Sequence, residues 1–533
     1  MDRISDLPKG ILHDILGKLP DKDAAKTCVL SKSWRQTWFS FPILSLCSDD
    51  LPSSPKDIFI DYVTKRLMRL HDQSLTIKEF KLTLGYTIDR RQLAHHIDQW
   101  IQMAIESGVE VLELRLTGGI MDYWYKYNLP LCVTKAKSLT KLVLSGGIRL
   151  DPAFLNHSLK FFSMRTLSFS HIHFGDERVL EHFISHCPLI EHLTLEFCEM
   201  DNPQSRGDPP GSRTYPVKSL SLRGLQKLKG ADVKGILEVY IDAPNLENLC
   251  YRAPSDRNAS FKLNLDSCTK LKCLSLWGLR ITDKWLLELL YKIPFLESLM
   301  LHSCSISEWL YISGLKLKFF RLLCCSNLKL LVIDAPNLLS CDYRGDDKPA
   351  ISFLRNSNQP GLNAHFGYGH RDLYGLRKFV ENIKPQKVLA SLSLFIHETC
   401  SIRESMGALP VSSPPPSIKL VQLRFPMNKE AEYFPLMMNW LLSSCFPKTI
   451  SFSLQYLNMK AFIVFFYEML MDKKKCWCYH RSWHLKCCWW HGLKVVKVTH
   501  LERTYESVED FEAILDALPE TRVEEYVSFG LEL

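Results

Sequence analysis

A short Leu-x-Leu signal recurs along most of this 533-residue chain, and a chain with that periodicity has few ways to bury its leucines. It stands at Leu82/Leu84, Leu114/Leu116, Leu142/Leu144, Leu167/Phe169, Leu193/Leu195, Leu220/Leu222, Leu274/Leu276 and Leu299/Leu301, with Leu249/Tyr251 filling the gap in the middle. Alternate residues of a strand face opposite sides, so each pair marks the buried side of a short strand. Most steps are about 25 to 29 residues, the span of one strand plus a return segment. Such a unit cannot bury its own apolar edge; stacked neighbours make a continuous leucine core, and the strands line a concave face. A punctuation precedes several strands: Cys187-Pro188-Leu189-Ile190, Ile293-Pro294-Phe295-Leu296, and the near-duplicates Ile241-Asp242-Ala243-Pro244-Asn245-Leu246 and Ile333-Asp334-Ala335-Pro336-Asn337-Leu338. Helical periodicity in returns such as residues 283–290 argues against a sandwich of strands.

The signal weakens over residues 356–387, around Asn363-Ala364-His365-Phe366-Gly367. It resumes at Leu392/Leu394, Val421/Leu423, Phe452/Leu454, Val496/Val498 and Val527/Phe529, with longer helical returns at 432–442, 461–471 and 508–518. The C-terminal third therefore reads as longer repeats ending in a strand.

The first forty residues carry a different pattern. Ile11, Leu12, Ile15, Leu16 and Leu19 fall on one face of a short helix. Pro8 suits its first turn, where a missing N–H is no loss, and Pro20 ends it. Gly10 and Gly17 weaken it by about 1 kcal/mol each, so packing must hold it. A second segment, 21–30, opens with Asp21 as a cap, and Ser31 offers the N-cap of a third helix bearing Trp34 and Trp38 at i, i+4. Three such helices cannot bury all their apolar surface on one another. They form either a helical cap on a larger domain or a unit that docks on a partner chain.

The run Leu7-Pro8 … Ile11 … Ile15-Leu16 … Leu19-Pro20 … Asp23-Ala24 … Thr27 … Val29-Leu30-Ser31 … Trp34-Arg35 … Trp38 resembles the F-box of plant F-box/leucine-rich-repeat proteins. With the repeats, the resemblance implies an α/β repeat fold: an N-terminal three-helix F-box followed by a leucine-rich-repeat solenoid, a horseshoe. It implies an F-box over 1–47, a linker over 48–57, the solenoid over 58–400, and longer repeats over 401–533 with a Cys/Trp-rich loop insertion at 472–491. It also implies a non-catalytic substrate-recognition subunit of an SCF-type ubiquitin ligase, without a cofactor. Leu7, Pro8, Ile11, Leu12, Ile15, Leu16, Leu19, Pro20, Val29, Leu30 and Trp34 would carry the contact with a Skp-type adaptor, and through it a cullin-RING ligase. Some of these must instead be internal core, and the pattern does not sort the two sets. The repeats would capture an unknown target protein. Arg115, Glu196, Arg223, Trp277 and His302 follow or interrupt strand leucines and are the target-binding candidates. Two other readings stay open: an interaction scaffold not coupled to degradation, and a zinc-dependent nucleic-acid binder.

That last reading rests on Cys476-Trp477-Cys478-Tyr479-His480 … His484 … Cys487-Cys488 … His491. Thiolates and imidazoles are zinc's preferred ligands, and Cys476, Cys478, Cys487 and Cys488 are the candidates, but the spacing matches no standard finger. A variable loop without metal is the default. The net charge of +8 is spread along the chain without a dense basic stripe, so it favours an acidic partner mildly and nucleic acid little. Of the 18 cysteines, Cys198, Cys250, Cys273 and Cys304 fall at apolar positions, as buried reduced thiols do. No Gly-x-Ser-x-Gly, P-loop or Gly-x-Gly-x-x-Gly pattern is present. His95-His96 with Asp98 reads as a solvated helix surface, His171 and His173 as loop residues, and 201–216 and 403–416 as proline-rich solvated loops. With no signal-peptide pattern and no apolar run long enough to span a bilayer, the expected location is the cytoplasm and/or nucleus, away from membranes.

Overall fold

The computed structural model describes residues 7–50, 56–85, 90–116, 126–201, 214–254, 261–345, 347–354, 361–368, 379–384, 389–396, 417–424, 445–453, 459–471, 495–500, 503–505 and 526–532. The chain forms two compact units, Met1–Leu271 and Lys272–Leu533.

The first unit opens with α1 (Lys9–Gly17), α2 (Asp21–Lys26) and α3 (Lys32–Phe39). Pro8 and Pro20 both stand at N-cap positions, so Pro20 opens the second helix and does not close the first. The second segment is helical only to Lys26. It continues as a 3-10 turn, Thr27–Val29, in which Thr27 Oγ1 donates to the Ala24 carbonyl at 2.6 Å. Ser31 caps α3 as expected, its Oγ accepting from Trp34 N at 3.2 Å. Leu12, Leu16, Ala24, Trp34, Trp38 and Phe41 are packed together in the core of this helical unit.

A fourth helix, α4 (Lys56–Asp72), fastens that core to the rest of the unit. The Arg66 guanidinium lies 3.4 Å from the Trp38 ring centroid, and Arg69 lies 4.0 Å from that of Phe39. Asp21, expected as a cap, is instead the first residue of α2, and its Oδ2 accepts from Tyr62 OH at 3.1 Å. Arg66 is only 6% exposed, and its Nε and Nη2 meet no acceptor among the described residues. The face of Trp38 offsets part of its lost hydration.

Phe41 then leads into the strand Ile43–Cys47, which pairs parallel with Glu79–Leu84. The ladder continues in parallel through Val111–Leu116, Lys141–Gly146, Thr166–Ser170, His192–Glu196, Gly230–Lys234 and Asn248–Arg252. One inward row runs Leu44, Phe80, Leu112, Leu142, Leu167, Leu193, Ala231, Leu249; the next runs Leu46, Leu82, Leu114, Leu144, Phe169, Leu195, Val233, Tyr251. All are buried. Leu220/Leu222 does not belong to it: Ser219–Leu222 pairs in an outer row with Glu238–Ile241, which in turn pairs with Lys262–Asn264. Its place is taken by Gly230–Lys234, whose inward Ala231 and Val233 carry no leucine signal.

Most returns are short outer strands and not helices. Tyr127–Asn128, Ile148–Leu150, His173–Phe174 and Glu199–Asp201 stack in parallel, while α5 (Arg90–Glu106) and α6 (Glu177–Ser185) supply the helical returns. His173, expected in a loop, is buried in this row. Each inner strand from Thr166 to Lys234 is left through a left-handed residue: His171 (φ 56°), Phe197 (φ 47°) and Gly235 (φ 84°). The N–H of each donates to the last strand residue of the next rung, His171 to Glu196 at 2.8 Å and Phe197 to Lys234 at 2.9 Å. A non-glycine there costs about 1–2 kcal/mol. Here His171 stacks on Phe197, with centroids 5.5 Å apart, and recovers part of that cost.

The second unit repeats the design. Cys273–Trp277, Ser298–His302, Phe319–Leu323, Ser340–Arg344, Gly361–Tyr368, Leu389–Ile396, Ser417–Arg424 and Phe446–Ser453 pair in parallel in that order. The weak stretch 356–387 thus contains a full ladder strand, whose inward residues are Leu362 and Ala364. Parallel stacking stops at Phe446–Ser453. Tyr526–Glu532 pairs antiparallel with it and with Val495–His500, so the end of the chain departs from the expected run of longer repeats. Among the expected returns, α7 (Asp283–Lys292) and α8 (Met459–Met471) are present. Residues 432–442, 508–518, 403–416 and 472–491, and most of 201–216, lie outside the described residues.

The near-duplicate hexapeptides perform one task in the two units. Leu246 N donates to the Ala243 carbonyl at 3.0 Å and Leu338 N to that of Ala335 at 3.1 Å, forming the turn into the next strand. Asn245 Nδ2 reaches the Gln226 carbonyl at 2.8 Å, and Asn337 Nδ2 that of Leu315 at 2.7 Å, tying each turn to the previous rung. Cysteines fill another repeated position: Cys198, Cys304 and Cys325 are buried, their thiols donating to Phe169, Leu276 and Leu301 carbonyls in the preceding rung. Cys250 is only half-buried and Cys273 is exposed, because both point out of the ladder away from the leucine rows.

Two outcomes follow from this packing. Trp38→Ala removes the ring that holds both Phe41 and Arg66, and is expected to cost about 3–5 kcal/mol, read as a lowered midpoint of the first unfolding transition. His173 is held down at about 3, mainly by burial and then by Lys126, His171 and Arg149; Glu199, 3.5 Å from Nδ1 but itself half in water, offsets little. A histidine kept neutral in the fold binds its proton first in the unfolded chain. Its contribution is therefore complete above about pH 6.5 and is lost as the pH falls towards about 3. Unfolding free energies measured at about pH 7 and about pH 5 should differ less for His173→Gln than for the unaltered chain, by up to about 2 kcal/mol.

Candidate functional site

The structure sorts the eleven F-box residues that the pattern could not. In α1, Leu12 and Leu16 face the core, while Ile11, and Leu19 just beyond the helix, face water and Ile15 lies between. Residues 11, 15 and 19 form one i, i+4 stripe and 12 and 16 the adjacent one. Trp34 is core as well, so Leu12, Leu16 and Trp34 are removed from the contact set: no partner reaches them without unfolding the helices. Leu7 packs on the core from its edge, and Pro8 and Pro20 are exposed at helix entries. The largest exposures belong to Val29 (86%) and Leu30 (62%), presented by the 3-10 turn and the residue after it. Two neighbouring aliphatic side chains left in water forgo about 1.5–3 kcal/mol each, which a covering partner would recover.

The strand face of the first unit is polar and largely paired with itself. Arg115 donates to Glu113 at 2.5 Å, Lys81 meets Glu79 at 2.5 Å, and Lys234 bridges Glu196 and Asp232. Burial alone would raise the Glu196 carboxyl, but Lys234 and the Ser170 hydroxyl hold it below the usual range. Arg115 and Glu196 share one register row, through Ser145 and Ser170. Arg223 does not join them. It follows the outer strand Ser219–Leu222 and is removed from the face candidates.

The second unit presents a different face. Trp277 and His302 are register partners, stacked with centroids 3.9 Å apart and planes 17° from parallel. Cys273, Met300, Phe319 and Leu323 also point outward on the same three strands, and Phe319 is 41% exposed between Ser298 and Ser340. Residues further along are joined across the ladder: Arg321 Nε to Asp342 Oδ2 at 3.2 Å, Asn363 Nδ2 to Asp342 Oδ1 at 3.0 Å, and Ser391 Oγ to Asn363 Oδ1 at 2.6 Å. Sequence reasoning missed Met300, Phe319 and Arg344. For Phe319 the run Phe319-Phe320-Arg321-Leu322-Leu323 was the one available signal, since an apolar residue on both sides of a strand leaves one of them outside.

The helix pair His95-His96 with Asp98 is partly engaged: Asp98 Oδ1 accepts from Tyr127 OH at 2.5 Å and His96 stacks on Trp100. Among the described residues no three His, Cys, Asp or Glu side chains come together to hold a metal ion. Cys476, Cys478, Cys487 and Cys488 lie outside the described residues. Among the described residues no helix is long and apolar enough to cross a membrane.

Three family models match the chain: F-box domain over residues 4–46, FBD-associated F-box protein At5g56370, LRR repeats over 97–277, and At1g61320/AtMIF1, LRR domain over 257–371. Similar curated proteins come from Arabidopsis thaliana. F-box/FBD/LRR-repeat protein At2g26030 is 30% identical over 259 residues, 46% of this chain and 52% of that protein. F-box/FBD/LRR-repeat protein At1g78750 is 27% identical, over 66% of this chain and 80% of its own. F-box protein At5g03100 is 30% identical, over 48% and 72%. The chain spans about half the length of the first of these relatives. With the three-helix unit at its head, the parallel leucine ladder behind it and these matches, the chain belongs to the plant F-box/leucine-rich-repeat protein family.

Proposed function

We propose that this chain is the substrate receptor of a Skp–cullin–F-box ubiquitin ligase. The F-box docks on the Skp-type adaptor, and the strand faces hold a target protein beside the ubiquitin-charged enzyme. The observation that carries the reading is the pair Val29 and Leu30, aliphatic, adjacent and exposed on a helical unit whose core is already full. Ile11, Leu19, Pro8 and Pro20 are also exposed on this helical unit, and Leu7 and Ile15 pack on its core from the edge. Holding a target near the reacting enzyme raises its effective concentration, so the receptor accelerates transfer by proximity and does no acid–base work. The described cysteines are all free, which suits the reducing cytoplasm or nucleus.

The test is co-purification of the full chain with the Skp-type adaptor beside a Val29→Asp/Leu30→Asp variant. Both residues are exposed, so the variant should fold with an unchanged unfolding midpoint yet lose adaptor affinity by about a hundredfold or more, about 1.4 kcal/mol for each factor of ten. Equal binding by the two proteins would contradict the assignment. Target half-life then separates a ligase receptor from a scaffold not coupled to degradation.

A further inference from the structure

The two strand faces differ in chemistry. In the first unit the outward cations Lys81, Arg115 and Lys234 are matched by carboxylates of their own or the neighbouring strand. In the second, the strands Cys273–Trp277, Ser298–His302 and Phe319–Leu323 carry an apolar field bordered by positive charge. Phe319 lies open at the entry edge of the field, with Met300 on the adjoining strand two register positions further along. At the strand-entry edge Glu297 accepts from Lys318 at 2.8 Å and also lies in the field of Lys316, which is exposed in the turn before the strand. At the exit edge Arg344 is exposed, and its guanidinium has no partner among the described residues. Exposed apolar surface of this kind marks a contact site, and a rim of one charge sign selects the partner's sign.

We propose that this face binds an extended acidic segment of the target, an aromatic or aliphatic side chain seated on Met300 and Phe319 and flanking carboxylates meeting Lys316 and Arg344. The proposal rests on the receptor reading and specifies the class of target that it serves. A segment lying across parallel strands needs no matching fold, only an apolar residue with Asp or Glu on both sides. Ionic strength should weaken it, because the rim charges are exposed and screened.

Two pools of labelled synthetic nonapeptides test this by fluorescence anisotropy with the full chain, in complex with the adaptor or alone. In one pool a central Phe, Leu or Trp is flanked by Asp and Glu; in the other the same residues are flanked by Lys and Arg. The acidic pool should bind at least about tenfold tighter. Phe319→Ser should weaken it about tenfold, and Lys316→Glu/Arg344→Glu should remove or invert the preference, while Lys227→Glu in the first unit changes nothing. All of these residues are exposed, and unchanged thermal midpoints certify the fold. Equal or absent binding of both pools, or an acidic preference untouched by the charge reversal, would overturn the proposal. Failure of the wild-type chain to bind the adaptor would instead sink the ligase reading, and the peptide measurement would stand apart from it.

Discussion

The structure depends on one constraint: a short parallel strand with two inward leucines is stable only against another strand of the same kind. Leu44 and Leu46 continue the rows of Phe80 and Leu82, so the last residues of the F-box segment are also the first rung of the ladder. A repeat array needs its terminal apolar edge closed. Here the closing element is the helical unit itself, with Trp38 and Phe41 packed beneath and Arg66 of α4 stacked on Trp38. The proposed adaptor platform is therefore not strung on a tether. Within the first unit it is continuous with the sheet, and the linker expected after it contributes a 3-10 turn, Ser48–Asp50, before α4.

This explains an apparent extravagance of the N-terminal helices. Their core is small, yet Val29, Leu30, Ile11 and Leu19 stay outside it. If burial were the only demand, those side chains would fold inward. The 3-10 turn at Thr27 and the cap at Ser31 prevent this by setting where α3 starts. The apolar surface is held out by backbone hydrogen bonds, and its cost is carried by the tertiary contacts of Arg66, Arg69 and Tyr62 with the helices.

Legibility in the sequence followed the chemistry of the inward positions. Where two leucines alternate, as at Leu142/Leu144, the strand could be read directly. Where the inward pair is Ala231/Val233, Cys341/Tyr343 or Leu362/Ala364, the rung is just as regular but its pattern is diluted by small or polarisable residues. The same dilution promoted Leu220/Leu222, which are buried as part of an outer row, to a rung they do not occupy. Among the site residues, chemistry alone could not tell Leu12 from Ile11, because both are aliphatic and adjacent on one helix; only the position of Trp34 and Trp38 decides which faces inward. Arg223 failed for a related reason, since register was counted from the misplaced strand. The reversal to antiparallel pairing at Tyr526–Glu532 left no trace in the spacing, because alternation reads the same in either direction.

The most direct test of the account is hydrogen–deuterium exchange of the full chain, alone and with the Skp-type adaptor. If the helical unit is both the docking platform and the cap of the ladder, amides around α1 and residues 27–31 should gain protection on binding. Those of Ile43–Cys47 and Glu79–Leu84 should already be protected in the free chain and exchange together with the helices. Protection confined to the repeats, or a helical unit that exchanges freely while the first rungs stay closed, would contradict it.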